Sequence, residues 1–278
     1  MAFSFSITLS SFMNIQENEM QTLENLSQLG LTEVELYGEP DDMDWNYFKD
    51  LLNSYNIRVI GITGMWGMSS SNGWKRRLLS NDKSILKYSE EYVLKCIRLC
   101  NYFGGKQINL CLFSDPIYSF DVTHRNVIQN NKTKTLSSCV PLLNRLLKFA
   151  KEFGVTLVIE PLNRYSTPYC STYSDIAPLI ESCDELELML DTFHMNIEED
   201  SFEETILNSQ HSLAHMHFAD NNRKMPGFGH IDFSMILRTL KKIIYEGKIS
   251  FEPTISERNY VDDIKFGLDY VKKLDLKY

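Results

Sequence analysis

At 278 residues, with 43% hydrophobic and 12% aromatic content, the chain is long enough to bury one large core. Its apolar runs fall far short of the roughly 20 residues that cross a bilayer, and a net charge of −9 argues against affinity built on neutralising many phosphates. The expected partner is a small molecule, with no nucleic acid and no membrane.

Strands and helices alternate from the start. Met1-Ala2-Phe3-Ser4-Phe5 lacks the positive start and cleavage site of a signal peptide and opens a strand, Phe3–Leu9. Helical periodicity follows near Glu17–Leu29, then strand Glu33–Tyr37, helix Asp44–Tyr55, strand Arg58–Thr63, helix Ser84–Phe103, strand Gln107–Phe113 and helix Lys134–Glu152. The second half continues with strand Thr156–Glu160, helix Ser174–Ser182, strand Leu186–Asp191, helix Ser201–Gln210, strand Leu213–Phe218, helix Phe233–Glu246, strand Lys248–Glu252 and helix Val261–Leu274. Eight such pairs predict a single α/β domain over residues 1–278, a (β/α)8 TIM barrel with its chemistry at the C-terminal ends of the strands. Gly30, Gly104-Gly105, Gly154 and Gly247 fall where helices hand over to strands, as left-handed stops do. Two connections are longer, Gly64–Lys83 and Ser114–Thr133, and read as binding or lid elements or as surface insertions. The six cysteines, Cys96, Cys100, Cys111, Cys139, Cys170 and Cys183, contain no C-x-x-C pair, which fits a reduced, cytoplasmic chain.

The chemistry gathers in four strand endings. Thr156–Glu160, Leu186–Asp191, Leu213–His217 and Lys248–Glu252 each close on a metal-competent side chain. Because side chains alternate along a strand, Glu160, Asp191, His217 and Glu252 can converge at the mouth of one barrel. Three carboxylates and an imidazole suit one divalent ion, Mn²⁺ foremost with Mg²⁺, Co²⁺ and Zn²⁺ as further candidates, rather than a thiolate-held structural zinc. Pro161 and Pro253 stop two of these ladders and leave the glutamates at the rim. His194, three residues beyond Asp191, is placed to reach substrate. His215 shares a strand face with His217, one layer deeper, and is expected to support the site or hold a neighbouring carboxylate. Glu35, inside the second strand, needs a partner if it points inward. Trp66 either stacks on a sugar face or anchors its loop in the core.

These segments, V-I-E-P-L-N-R-Y from Val158, L-D-T-F-H-M-N-I-E-E from Leu190, H-M-H-F-A-D-N-N-R-K-M-P-G-F-G from His215 and S-F-E-P from Ser250, resemble those of the sugar isomerase and epimerase family built on the xylose-isomerase-like barrel. They are most similar to ketose 3-epimerases of the tagatose and allulose (psicose) type. The resemblance is sharp over Thr156–Glu252 and architectural over the first 150 residues. It implies metal ligation by Glu160, Asp191, His217 and Glu252, sugar oxygens held by His194 and Arg223, and Glu160 and Glu252 as acid and base on opposite faces of the sugar. The expected reaction inverts C3 of a ketose through an enediolate that the metal stabilises. Ser166 departs from the pattern, standing where those epimerases carry a glutamate that contacts substrate hydroxyls, and Asp220 stands where many carry Glu.

Alternatives remain. Aldose–ketose or sugar-phosphate isomerisation and inosose dehydration use nearly the same metal and carboxylates, and Arg223-Lys224 could clamp a phosphate. An apurinic/apyrimidinic endonuclease shares the barrel, but it needs more metal histidines at the early strand ends than Thr63-Gly64 and Leu112-Phe113-Ser114 provide. A homodimer or homotetramer is compatible, with aromatics near Phe113–Phe120 as a contact.

Overall fold

In the computed structural model, which describes residues 2–116, 131–256 and 260–277, the parallel strands pair in chain order and close into a ring of eight. They are β1 (Phe5–Thr8), β2 (Glu33–Gly38), β3 (Arg58–Gly64), β4 (Gln107–Leu110), β5 (Thr156–Ile159), β6 (Leu186–Asp191), β7 (Leu213–Phe218) and β8 (Lys248–Phe251). Closure sets Phe5 beside Ile249 and Ile7 beside Phe251, so the ring of described strands has no free edge to recruit another chain.

Alternation divides these strands into two faces. Glu35 on β2 meets His217 on β7 at 2.7 Å across the ring, Thr8 on β1 meets Thr63 on β3 over β2 at 2.7 Å, and Ser6 meets its register partner Ser250 on the adjoining β8 at 2.5 Å. Those residues therefore face the lumen, and their neighbours Ile7, Leu36, Ile62, Met216, Phe218 and Phe251 face the helices, none of them exposed. Each such side chain contributes about 1.5–3 kcal/mol on burial. The main core is thus the shell between strands and helices, while the lumen is polar and carries the chemistry.

The shell is completed by α1 (Glu19–Gln28), α2 (Trp45–Ser54), α3 (Lys83–Phe103), α4 (Val140–Glu152), α5 (Tyr173–Ser182), α6 (Thr192–Glu198), α7 (Phe202–Asn208), α8 (Phe233–Lys242) and α9 (Tyr260–Lys277). Short polar residues start them: Asn18, Asp44, Asp82, Thr172, Ser201 and Asp232 each accept a hydrogen bond from a backbone N–H of the first turn. None of the described helices is long and apolar enough to cross a membrane.

Several boundaries differ from the sequence expectation. Gly30, Gly104 and Gly154 do adopt left-handed φ values of 73°, 79° and 62°, but Gly247 does not; Ile244, at φ 55°, turns the chain after α8 instead. Gly247 is needed for space, because a Cβ there would strike the Ala214 carbonyl and the Tyr245 ring. Helix Lys134–Glu152 is broken after residue 138, and Pro141, without an N–H to offer, stands in the first turn of α4. The short α6, directly after β6, was not expected at all. Of the connection Ser114–Thr133, residues 117–130 lie outside the described residues, and with them most of the aromatic contact suggested above.

Candidate active site

Strands β5 and β8 run out at Ile159 and Phe251, so Glu160 and Glu252 sit one residue past the ladder rather than within it. Each keeps its N–H on the neighbouring strand, Glu160 to the Leu110 carbonyl at 2.9 Å and Glu252 to that of Phe218 at 3.1 Å. Asp191 ends β6, and His217 is the last lumen-facing residue of β7. One ligand atom from each of Glu160, Asp191, His217 and Glu252 lies within 4.8 Å of the others.

This much negative charge in a buried space demands compensation. Arg223 supplies part, donating from one guanidinium nitrogen to Asp191 Oδ2 at 2.8 Å and from another to Glu252 Oε2. Burial, with the Glu252 charge second, pushes Glu160 up to about 8. Burial also carries Asp191 to about 6, although Arg223 opposes it. For Glu252 burial acts the same way, but Arg223 and His217 outweigh it and hold this carboxyl well below its ordinary range. Burial disfavours the His217 imidazolium, yet Glu35 and Glu252 together hold its pKa well above the usual value.

The cluster fits a divalent cation on its own chemistry. Glu160 Oε1 and His217 Nδ1 are buried with no hydrogen-bond partner, although Nδ1 lies 3.3 Å from Glu252 Oε2. The Nδ1 contact lacks hydrogen-bond geometry, and two orphaned buried donor or acceptor atoms side by side are expensive unless something binds them. Three carboxylates and one imidazole, none of them a thiolate, match an oxygen-preferring divalent ion.

Supporting residues, several of them invisible to sequence reasoning, surround the four. Glu35 finds its partners here: His217 Nε2 at 2.7 Å and His215 Nε2 at 3.1 Å. A carboxylate behind one imidazole nitrogen aims the other at the cluster. The same three residues also form a second metal-competent group; there Glu35 bonds His217, while the His215 nitrogens are buried without a hydrogen-bond partner, Nε2 lying 3.1 Å from Glu35 Oε1. Asn109 donates to Glu160 Oε2 at 2.8 Å and Cys111 approaches it at 3.4 Å, leaving Oε1 toward the lumen. No local pattern announces these partners, since Glu35 and His217 are 182 residues apart.

The motif segments clasp one another. Asp191 Oδ1 accepts from the Phe193 N–H at 2.7 Å and so caps α6, the helix that carries His194. Arg164, on the first segment, donates to Glu198, on the second, from its side chain at 2.9 Å and its backbone at 2.6 Å. Burial lowers the pKa of His194 to about 3, keeping the ring neutral. Asp220, fully buried, accepts from the N–H groups of Gly227 and Gly229 at 2.9 Å each and of Ile231 at 3.1 Å. That wrapped loop holds Arg223 at φ 57°, a left-handed conformation costing about 1–3 kcal/mol in a residue with a side chain. The strain is spent on aiming the guanidinium inward.

A cavity of about 770 Å³ opens over the cluster, lined among others by Glu160, His194, Arg223, Glu252, Trp66 and Met65. Trp66 is only 5% exposed; its ring packs edge-on to Tyr92 and its indole N–H donates to the Asn109 carbonyl at 3.3 Å. Packing therefore favours the core-anchor reading, with one edge of the indole on the cavity. Lys224 is exposed while Arg223 points into the carboxylates, so the pair does not form a phosphate clamp. Ser166 is also exposed, its hydroxyl 3.4 Å from Asn163 Oδ1.

A closed parallel barrel with a buried acid and imidazole cluster under a polar cavity defines an enzyme frame for a small polar substrate. The chain belongs to the xylose isomerase-like TIM barrel family, whose model matches residues 23–273. It is 26% identical over 222 residues to an L-ribulose 3-epimerase of Methylomonas sp. (strain DH-1), covering 79% of this chain and 72% of that protein. Over 115 residues it is 34% identical to a 3-dehydro-D-guloside 4-epimerase of Escherichia coli (strain K12), 41% of this chain and 44% of that one. The crystal structure of D-psicose 3-epimerase with D-tagatose from Clostridium cellulolyticum H10 superposes with a TM-score of 0.82 at 22% identity, covering 99% of both chains.

Proposed function

We propose that the chain is a carbohydrate epimerase of the isomerase class that inverts C3 of a ketose with the help of one divalent cation, Mn²⁺ foremost. Glu160, Asp191, His217 and Glu252 would hold the cation. The observation that carries the reading is the meeting of two glutamates from strands β5 and β8, in one cluster, in unlike environments. Two carboxyls on one cavity with unlike partners, Glu160 Oε1 without any and Glu252 Oε2 against Arg223 and His217, are suited to different acid and base roles.

A C3–H beside a C2 ketone is weakly acidic. When bound, the cation supplies Lewis-acid stabilisation of the negative charge that develops on the sugar oxygen. The chain's own residues do the rest. One glutamate takes the C3 proton from one face, and the other returns a proton to the opposite face. His194 and Arg223 hold sugar oxygens, which fixes the ring of groups around C3 and limits rotation of the intermediate. The polar lumen beneath, through Glu35 and Asn109, keeps the glutamate and imidazole atoms on station.

The test is a Mn²⁺-supplemented screen in D₂O over free and phosphorylated ketoses and 3-keto sugars, with NMR following exchange. Deuterium at C3 with the epimer as product supports the proposal. Deuterium at C1 with an aldose product makes the chain an aldose–ketose isomerase, exchange at C4 of a 3-keto sugar makes it a 4-epimerase, and no exchange removes the epimerase reading. We further read the chain as cytoplasmic, without nucleic-acid partners, and assembled as a homodimer or homotetramer. The net charge of −9 and the six free, buried cysteines support the first two points.

A further inference from the structure

Asn163 sits in the Glu-x-x-Asn-Arg segment, three residues past Glu160 and against the ring of His194. It is 5% exposed, and its amide orientation is set by a group that can only donate. The Tyr165 backbone N–H lies 3.0 Å from Asn163 Oδ1, with the Ser166 hydroxyl 3.4 Å from the same oxygen. Oδ1 is therefore turned to the loop, and Nδ2, the donor end, faces His194 Nδ1 at 2.9 Å. A donor opposite Nδ1 requires a lone pair there, so the ring carries its proton on Nε2. Nε2 faces the cavity 3.9 Å from Glu160 Oε1, beyond hydrogen-bond reach. An oxygen of a bound molecule beside that gap meets an N–H.

We propose that Asn163 is a positioning residue that locks His194 into the Nδ1-acceptor, Nε2–H-donor tautomer. The locked ring presents a neutral donor to the cavity. It thereby selects a sugar oxygen with a lone pair to offer, the carbonyl or the oxygen on which charge develops, over a hydroxyl that must donate. The catalytic consequence rests on the epimerase reading; the tautomer does not. N163D keeps the size and the acceptor toward Tyr165, but it places a carboxylate oxygen opposite Nδ1 and draws a proton onto that nitrogen. N163A removes the lock without imposing the opposite one.

The experiment labels histidine nitrogens with ¹⁵N in the full chain loaded with diamagnetic Mg²⁺, and reads His194 by long-range ¹H–¹⁵N correlation, assigned by its loss in H194N. Wild type is expected to carry the proton on Nε2 alone, N163A to populate both tautomers, and N163D to gain a proton on Nδ1. In the epimerisation assay kcat of N163D falls about 10- to 100-fold, the scale of one hydrogen bond to developing charge, while KM stays within about threefold. A wild-type ring protonated on Nδ1, or an N163A spectrum identical to wild type, overturns the lock whether or not N163D folds. An altered tautomer with unchanged kcat overturns its catalytic role. A locked tautomer in a chain that turns over no sugar leaves the lock standing and removes the epimerase reading instead.

Discussion

Glu160 and Glu252 share a cavity but not an environment. Glu160 has Oε2 occupied by Asn109 and Cys111 and Oε1 free, whereas Glu252 Oε2 faces both Arg223 and His217. If they are the proton-transfer pair, E160Q and E252Q each lower kcat by about 10²- to 10⁴-fold in a steady-state assay with saturating metal. A near-normal rate from either variant takes that residue out of the pair. Glu35 is expected to act one step back, through His217. E35A should weaken Mn²⁺ binding about 10- to 100-fold, the usual effect of losing a partner behind a ligating imidazole. Titration followed by electron paramagnetic resonance reads this directly, and an unchanged dissociation constant shows that His217 needs no carboxylate behind it.

At the scale of elements, the connection between β3 and α3 is built as structure and not as a surface insertion. Arg76, 3% exposed, pairs with Glu39 just after β2 through contacts of 2.9 and 2.5 Å, donates to the Met65 carbonyl at 2.8 Å, and lies 3.9 Å from the Tyr92 ring centroid. This clamp seats Met65 and Trp66 on the cavity wall. R76M leaves the Glu39 carboxylate buried and unpaired, so it should destabilise by about 3–5 kcal/mol in urea unfolding, and adding E39Q should restore much of that. A loss below about 1 kcal/mol, the size of an exposed pair, shows that water reaches the carboxylate. The Ser- and Asn-rich composition of this loop hid the clamp, because a buried ion pair leaves no periodic trace. Periodicity did reveal the eight strands and most helices, since half-buried elements alternate visibly between lumen, core and solvent. It misled where apolarity had another cause: Cys111-Leu112-Phe113 reads as strand, yet β4 stops at Leu110 and the Phe113 carbonyl accepts from Leu79 of the loop at 3.0 Å. The four candidate ligands were legible because each closes an apolar run. Glu35 was legible only as an inward carboxylate in want of a partner, and the tasks of Asn109 and Asn163 were not legible, because what these residues touch is set by barrel closure and loop packing.

For the molecule as a whole, the cluster ties stability to pH and to metal. Glu160, pushed from 4.5 to about 8, keeps its proton in the folded metal-free chain at pH values where the unfolded chain has lost it. Its contribution is therefore full below about 4.5 and disappears as pH rises through about 8. His217, held well above its ordinary 6.5, has the same sign above that value. His194 and His215, both lowered, act oppositely but only below 6.5, and the depressed carboxyls Glu35 and Glu252 act only below about 4.5. Between pH 6.5 and 8 these groups thus have one sign, and the metal-free chain loses stability as pH rises. A divalent cation takes the place of those protons, so its binding strengthens over the same interval. At a hundredfold excess over its dissociation constant it adds about 2.7 kcal/mol, and at fixed Mn²⁺ that increment grows with pH. Melting temperatures in EDTA should fall from pH 6.5 to 8, and the rise on adding Mn²⁺ should widen. In E160Q, which has no proton to exchange at that position, both slopes should flatten. A Mn²⁺ increment that is constant across the interval, or equal in E160Q and wild type, means that the cation binds somewhere other than this cluster.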